Sequence, residues 1–399
     1  MTHAFAMRGV FCHGVSHVYL AQIPAVKIIE APRSCGCTEP DSLPVLSIVI
    51  CTLDEHEAID SVLSELGEHL QDIQHEIIVV DDSSDERTGD AVNAYAAGDP
   101  RIRLVRRYNA NGLSSAAITG WDLSKGKFLA IMDGDGQHDP SLMRGLLDKL
   151  ACKDVDVAIA SRYLDNSRSG LPGLRHILSR TGIRLTDTTL GIPMADPLSG
   201  CFAMTRDWYM QARSRLSGLG FKILIDVVAS GPRLPRMAQI PTVLRARAGG
   251  ASKLDTRVIV DLITLLIEKR THGRFRAESV MHGATICATL VAQWLSASIL
   301  LTLACPLRIT LLLSAGLGLA GHLWIKYLMT SRSLRPHSLR DFARQWMGFY
   351  ASRWSDLPLN AGVAITLCTL HCPWPLAITA GVLLLEAHYH TTDKGRVVA

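Results

Sequence analysis

The sharpest chemical signal in the chain is Asp133-Gly134-Asp135-Gly136-Gln137-His138-Asp139, which follows the apolar run Phe128 to Met132. A strand that hands two carboxylates at alternate positions to a loop sets both near one face of the sheet's edge. Two aspartates so placed repel each other unless a cation joins them, and a hard divalent ion that also takes diphosphate oxygens suits the pair. The chemistry expected is group transfer, with magnesium or manganese acting as a Lewis acid on a leaving nucleoside diphosphate. A solvated turn is the plain alternative for a bare Asp-x-Asp. His138 is read as a loop hydrogen-bonder and stays outside the ligand set.

A second acidic loop, Asp81-Asp82-Ser83-Ser84, follows another buried run, Glu76 to Val80. Acceptor-only carboxylates there suit a nucleotide's base or ribose donors, and the competing reading is a turn that caps the helix at Thr88. Thr52-Leu53-Asp54-Glu55, after the first run, has the same choice between a ligand and a helix cap.

These loops need a sheet to hold them. Strands are expected at Leu46–Cys51, Glu76–Val80, Ile102–Arg106, Phe128–Met132 and Val155–Ser161, and helices at Glu57–Leu70, Thr88–Ala97, Ser114–Leu123 and Pro140–Leu150. Apolar spacing supports each assignment. The alternation predicts an α/β domain with an open, mainly parallel sheet whose ligands bind at the strands' carboxyl ends. After Arg276 the chain changes character: Gly283 to Leu307 carries no charged residue and exceeds the roughly 20 apolar residues that cross a bilayer. Ile309–Ile325 is a second candidate span, and Phe342–His371 and Trp374–Leu385 are weaker ones, which makes about four spans. Lys269, Arg270, Arg274 and Arg276 precede the first span, and Lys326, Arg332, Arg335, Arg340 and Arg344 follow the second, with Arg308 alone between them. By the positive-inside rule the α/β domain faces the cytoplasm, making this an integral protein of the cytoplasmic membrane. The domains expected are 1–44, a poorly ordered extension; 45–270, the α/β domain; and 277–390, all-α and transmembrane.

Of the 399 residues, 48% are hydrophobic and the net charge is only +4. With no interleaving of aromatic and basic residues, nucleic acid is not an expected partner. The ten cysteines form no Cys-x-x-Cys pair, so neither a zinc knuckle nor a disulfide framework is indicated, and reduced thiols are expected.

Several motifs occur in order: Thr52-Leu-Asp-Glu55, Val-Val-Asp81-Asp82, Asn111-Gly112-Leu113, Asp133-Gly-Asp135-Gly-Gln137, Ser161-Arg162-Tyr163, Asp196-Pro-Leu-Ser199-Gly200, Gly220-Phe221-Lys222 through Asp226, and Gly250-Ala-Ser252-Lys253. Over about residues 45 to 270 the chain resembles the polyprenol (dolichol) phosphate mannose synthases, inverting family 2 glycosyltransferases of the GT-A, Rossmann-like fold. The C-terminal part resembles, more faintly, a GtrA-like membrane domain. The resemblance implies transfer of mannose from GDP-mannose, a nucleotide-sugar, to a polyprenyl phosphate, with a divalent metal held by Asp133, Asp135 and Gln137. It implies donor contacts from Thr52, Glu55, Asp81, Asp82 and Gly134, and phosphate contacts from Arg162, Arg175, Arg247 and Lys253. Asp196 and Asp226 are the candidate acids near the acceptor, with Asp226 equally able to pair Lys222. The chain departs from the family at Cys51, Leu53 and Asp54, where Pro, Tyr and Asn are usual, at Ser114, and at Asp85-Glu86-Arg87-Thr88. Two other readings stand beside it: a UDP-glucose-dependent transferase with the same acceptor, and a non-catalytic nucleotide-sugar-binding membrane protein.

Overall fold

The computed structural model describes residues 26–29, 43–108, 112–152, 154–164, 173–246, 256–330, 343–344, 347 and 356–396. Strands β1 (Val26–Ile29), β2 (Leu46–Thr52), β3 (His75–Asp81), β4 (Ile102–Arg107), β5 (Phe128–Asp133), β6 (Val157–Ser161), β7 (Phe202–Thr205) and β8 (Met237–Pro241) form one sheet in the order β1-β4-β3-β2-β5-β7-β6-β8. The helices of this domain are α1 (Ile59–His69), α2 (Arg87–Gly98), α3 (Leu113–Leu123), α4 (Leu142–Ala151), α5 (Gly173–Leu190), α6 (Arg206–Ala212), α7 (Ile223–Ala229) and α8 (Thr256–Arg270).

Both faces of the sheet are covered, which is why its central strands read as nearly continuous apolar runs. Leu46, Ile48 and Ile50 of β2 pack with Leu63, Leu66 and Leu146 on one side, while Val49, with Ile78 and Val80 of β3, packs against Trp121 and Trp208 on the other. Trp121 is fully buried and meets Phe202 and Tyr209 edge-on, at centroid distances of 5.9 and 5.5 Å. Its indole N–H donates to the Ala130 carbonyl (3.2 Å), so the polar end of the ring is satisfied inside the core.

The sheet is mixed: β2 is parallel to β3 and β5, but β7 inserts antiparallel between β5 and β6, and β1 is antiparallel to β4. A four-residue strand such as β7 is specified by the neighbours it finds far along the chain, which local periodicity does not carry. Val26–Ile29, inside the extension expected to be poorly ordered, pairs with β4 and covers that edge of the sheet.

The C-terminal region holds α9 (Ala277–Thr302), α10 (Leu307–Thr330), α11 (Asp356–Thr369) and α12 (Trp374–Arg396). Among the described residues one helix, Ser279–Thr302, with a mean hydropathy of 1.7, is long and apolar enough to cross a membrane; the apolar parts Leu307–His322 and Trp374–Leu385 are shorter. Of the third expected span, Phe342–His371, the described residues include α11, and residues 348–355 lie outside the described residues. Side-chain sorting in this region differs from that of the sheet domain, with Leu311, Leu319, Ile378 and Leu385 buried beside small and polar residues. Ala297, Ala361, Ala364, Thr289, Gln293, Ser314 and Asn360 are buried, whereas Leu295, Leu303, Leu317 and Leu383 are more than half exposed.

Candidate active site

The register of the central strands fixes the site. Thr52 stands opposite Asp81, and Cys51 opposite Asp133, so three neighbouring strands deliver Asp81, Thr52 and Asp133 to one edge. With strands about 4.8 Å apart, Asp81 and Asp133 stand roughly 10 Å from one another. The two acidic loops share an edge without forming one carboxylate cluster.

Asp81 is fully buried, accepting from the Thr52 hydroxyl (2.8 Å) and the Ser83 amide (3.2 Å) with Arg106 Nε 3.3 Å away. Asp82 is gripped by the Arg107 fork, at 2.7 Å from Nε and 2.5 Å from Nη2, and its Oδ2 also accepts from the Gly112 amide (3.3 Å). Burial pushes both carboxyls up from the ordinary range, against the hydrogen bonds that favour their charged forms. Thr52 and Asp81, expected on the donor, thus lock β2 to β3, and both oxygens of Asp82 hold Arg107. The paired basic residues at the end of β4 were the signal in the sequence for that arrangement. Glu55 is also buried, at the entrance to α1, where its carbonyl accepts from Ala58 and Ile59. Asp54 adopts a left-handed φ of 57°, a conformation open to short polar residues, and its amide donates to Ser83 (2.8 Å).

Around the Asp133–Gln137 loop the arrangement is different. Asp135 is buried and its Oδ1 accepts from the Gln137 amide (3.1 Å). Gln137 is tied to the segment after β8: its carbonyl accepts from the Arg245 amide (2.8 Å), and its side-chain nitrogen donates to the Arg245 carbonyl (3.3 Å). Arg245, absent from the sequence expectations, clamps Glu65 (2.7 Å) and Asp139 (2.6 Å), fixing the loop's far end. His138 Nε2 lies 4.0 Å from Asp133 Oδ2, and burial pushes the imidazole down to about 4, so it is neutral at physiological pH. Gly200, just before β7, lies against the Asp133 carboxylate, and a Cβ there would collide with both of its oxygens. Gly134 is crowded by Thr52 and Ile50 in the same way.

Among the described residues no three His, Cys, Asp or Glu side chains gather into a metal cage. A diphosphate-bridging ion needs no such cage, since one or two carboxylates with substrate oxygens and water complete its shell. Two hard carboxylate donors at alternate positions of one loop, with glycine backbone packed against the first, fit that requirement.

The remaining expected residues divide. Arg162 is forked onto Asp196, at 2.6 Å from Nε and 2.7 Å from Nη2, and Asp196 is fully buried. These two, expected as a phosphate grip and a catalytic acid, satisfy each other. Asp226 is also fully buried, and its carboxylate accepts from the amides of Ser217 (2.9 Å) and Gly218 (3.0 Å), the hydroxyls of Ser217 (2.9 Å) and Ser230 (3.2 Å), and the Lys269 ammonium (2.6 Å). Asp226 anchors the last turn of α8 to the loop before α7, and its cation is Lys269 rather than Lys222. Lys222 faces the site instead: burial first, then Arg162, lowers its pKa, against Asp133 and Asp196. Arg175 lies in α5, of which only the backbone is described at that position, and Arg247 and Lys253 fall outside the described residues.

Residues 47–212 match the family described as Glycosyl transferase family 2. The chain is 32% identical over 200 residues to the dolichol-phosphate mannosyltransferase of Saccharomyces cerevisiae, covering 48% of this chain and 73% of that protein. The chain belongs to glycosyl transferase family 2. It is a glycosyltransferase of the GT-A type, which sets aside the reading as a non-catalytic binding protein. It is also 30% identical over 223 residues to the dolichol-phosphate mannosyltransferase of Pyrococcus furiosus, spanning 55% of this chain and 61% of that protein's length. The undecaprenyl-phosphate mannosyltransferase of Micrococcus luteus is 28% identical over 221 residues, 54% of this chain and 89% of that protein. The family match stops at residue 212, short of the C-terminal helices.

Proposed function

We propose that this glycosyltransferase moves a mannosyl group from GDP-mannose to a polyprenyl monophosphate at the cytoplasmic face of a membrane that its C-terminal, GtrA-like helices enter. The observation that carries the reading is the Asp133–Asp135 loop at the end of a central strand, in a chain whose relatives are named as mannosyltransferases of dolichol and undecaprenyl phosphate. The outward-facing leucines of the C-terminal region and the basic residues flanking its first helix support the membrane setting.

Asp133 and Asp135 would hold a magnesium or manganese ion, which when bound supplies charge neutralisation for the departing diphosphate. The chain's own residues do the positioning. Gly200 keeps the space beside the Asp133 carboxylate narrow, and Gly134 lets the loop pack closely on Thr52 and Ile50. Gln137 and Arg245 fix the loop's exit. Arg162 and Asp196 brace the floor of the site as a pair, and the half-buried Lys222 offers positive charge toward Asp133 and the incoming phosphate. A phosphate monoester is already anionic, so its attack on the anomeric carbon needs little help from a base. The engagement of Asp196 and Asp226 in ion pairs supports a reaction without one.

A donor screen on the purified protein with polyprenyl phosphate tests this. Label is expected in lipid from GDP-mannose and not from UDP-glucose, and is expected to vanish when the divalent metal is chelated. Label entering lipid from UDP-glucose alone would replace mannose with glucose.

A further inference from the structure

Two helix ends in the C-terminal region close in the same way, with a residue other than glycine in the left-handed position. At the end of α9, Ala304 has φ 57°, with the Cys305 amide on the Leu300 carbonyl and the Ala304 amide on the Leu301 carbonyl, both at 3.0 Å. At the end of α11, His371 has φ 68°, with Cys372 on Leu367 (3.0 Å) and His371 on Cys368 (3.1 Å). This double closure folds the residue after the left-handed one back over the last helical turn. In α11 that residue is Cys372, and Cys368 lies on the turn it covers. A disulfide spans roughly 4.4–6.8 Å between Cα atoms, the scale of a residue folded back onto the turn beneath it. Both thiols are free and half-buried, and both pack on one apolar group with Trp374, Ala377 and Ile378. Although His371 lies between them in sequence, no three metal-ligating side chains gather there among the described residues.

The position of this turn in the bundle matters as much as its shape. Helix α9 starts seven residues after α8, which is bolted to the catalytic domain through Lys269 and Asp226. Trp294, in the distal half of α9, donates its indole N–H to the Pro375 carbonyl (3.2 Å). The Cys372–Pro375 turn therefore lies toward the end of α9 remote from the catalytic domain. On the orientation proposed above, that end faces away from the cytoplasm, where thiols meet disulfide oxidants instead of the reducing glutathione pool.

We propose that Cys368 and Cys372 form a thiol–disulfide exchange site on the side of the membrane opposite the active site. The inference rests on the proposed orientation. The Cys372 thiolate attacks a disulfide of a thiol oxidoreductase, forming a mixed disulfide and releasing one thiol of the oxidant. The Cys368 thiolate then attacks the Cys372 sulfur, closing the intramolecular bond and releasing the second thiol. In total two electrons and two protons pass to the oxidant. The bridge ties the end of α11 to the start of α12.

The test uses the full-length chain in cells, with thiols trapped by a maleimide before lysis. No Lys or Arg lies between Arg353 and Lys394, so one tryptic peptide carries both cysteines and no others. That peptide is expected two hydrogens lighter than its dithiol form and to take up maleimide only after reduction. The Cys368→Ser chain is expected to leave Cys372 open to maleimide without reduction. Alkylation of both cysteines before reduction overturns the proposal, as does a bond joining this peptide to the one that carries Cys305. After reduction, a membrane-impermeant maleimide separates the two failures. Labelling in intact cells upholds the orientation whatever the state of the thiols, whereas labelling only in inverted vesicles overturns the orientation and with it the compartment of the exchange.

Discussion

In the sheet domain, the isoleucines and valines of β2 and β3 point inward from both faces, and buried acids are held by nearby cations: Asp81 by Arg106, Asp82 by Arg107, Asp196 by Arg162 and Asp226 by Lys269. In the helices after Arg276, alanine, threonine, serine and amide side chains share the interior with Leu311, Leu319, Ile378 and Leu385, while Leu295, Leu303, Leu317 and Leu383 face out. The first pattern suits water, where apolar burial drives folding and a buried charge persists only with a partner. The second suits lipid, where leucine gains nothing by turning inward and small residues let helices approach closely. On the membrane setting proposed above, one chain is sorted for two solvents, and the change falls at the short link between α8 and α9.

The comparison can be broken at four places. The largest effect is expected at the one strand-end acid site assigned to a ligand. Asp133→Ala and Asp135→Ala should each lower lipid mannosylation on the order of a thousandfold, with circular dichroism unchanged; wild-type rates in both would remove the site from the reaction. Next comes the buried pair that joins the two regions. Lys269→Met should destabilise the fold by about 3–5 kcal/mol, because it strands the Asp226 charge among neutral donors. Addition of Asp226→Leu should recover part of that loss in thermal melts, and equal melting of all three chains would make the pair ornamental.

Smaller effects test the lipid-facing side. Leu295→Lys costs nothing if its face meets water, but about 2.5–3.5 kcal/mol if that face meets lipid near the bilayer centre, so the variant should shift from the membrane to the soluble fraction on mild extraction. Unchanged extraction would place the leucines in water. The smallest effect is expected at the left-handed helix ends. Ala304→Gly should relieve about 1 kcal/mol of backbone strain, read as a higher melting temperature in detergent. A lower one would mean that the Ala304 methyl contributes packing that exceeds its strain.

The reading from sequence located the strand ends to within a residue or two: Leu46, Ile102, Phe128 and Ser161 are boundaries in both descriptions. It also located the two acidic loops, because strand periodicity and abrupt acidic punctuation are local features. It did not locate the cations. Arg106 and Arg107 sit beside Asp81 and Asp82 only because β4 pairs with β3, and Lys269 reaches Asp226 only because α8 packs back on α7. Asp196 looked like a free acid for the same reason, since its partner Arg162 lies 34 residues upstream.

By itself the sequence determined where the polypeptide alternates strand with helix, which residue pair is suited to a divalent ion, and where an apolar stretch begins, since each is written in runs of neighbouring residues. The tertiary structure decided which acids are paired with cations, that β7 runs antiparallel beside Asp133, and that Cys372 folds back on the last turn of α11. Those outcomes depend on pairings between distant segments, and a charge buried in a fold is reactive or inert according to what packs against it.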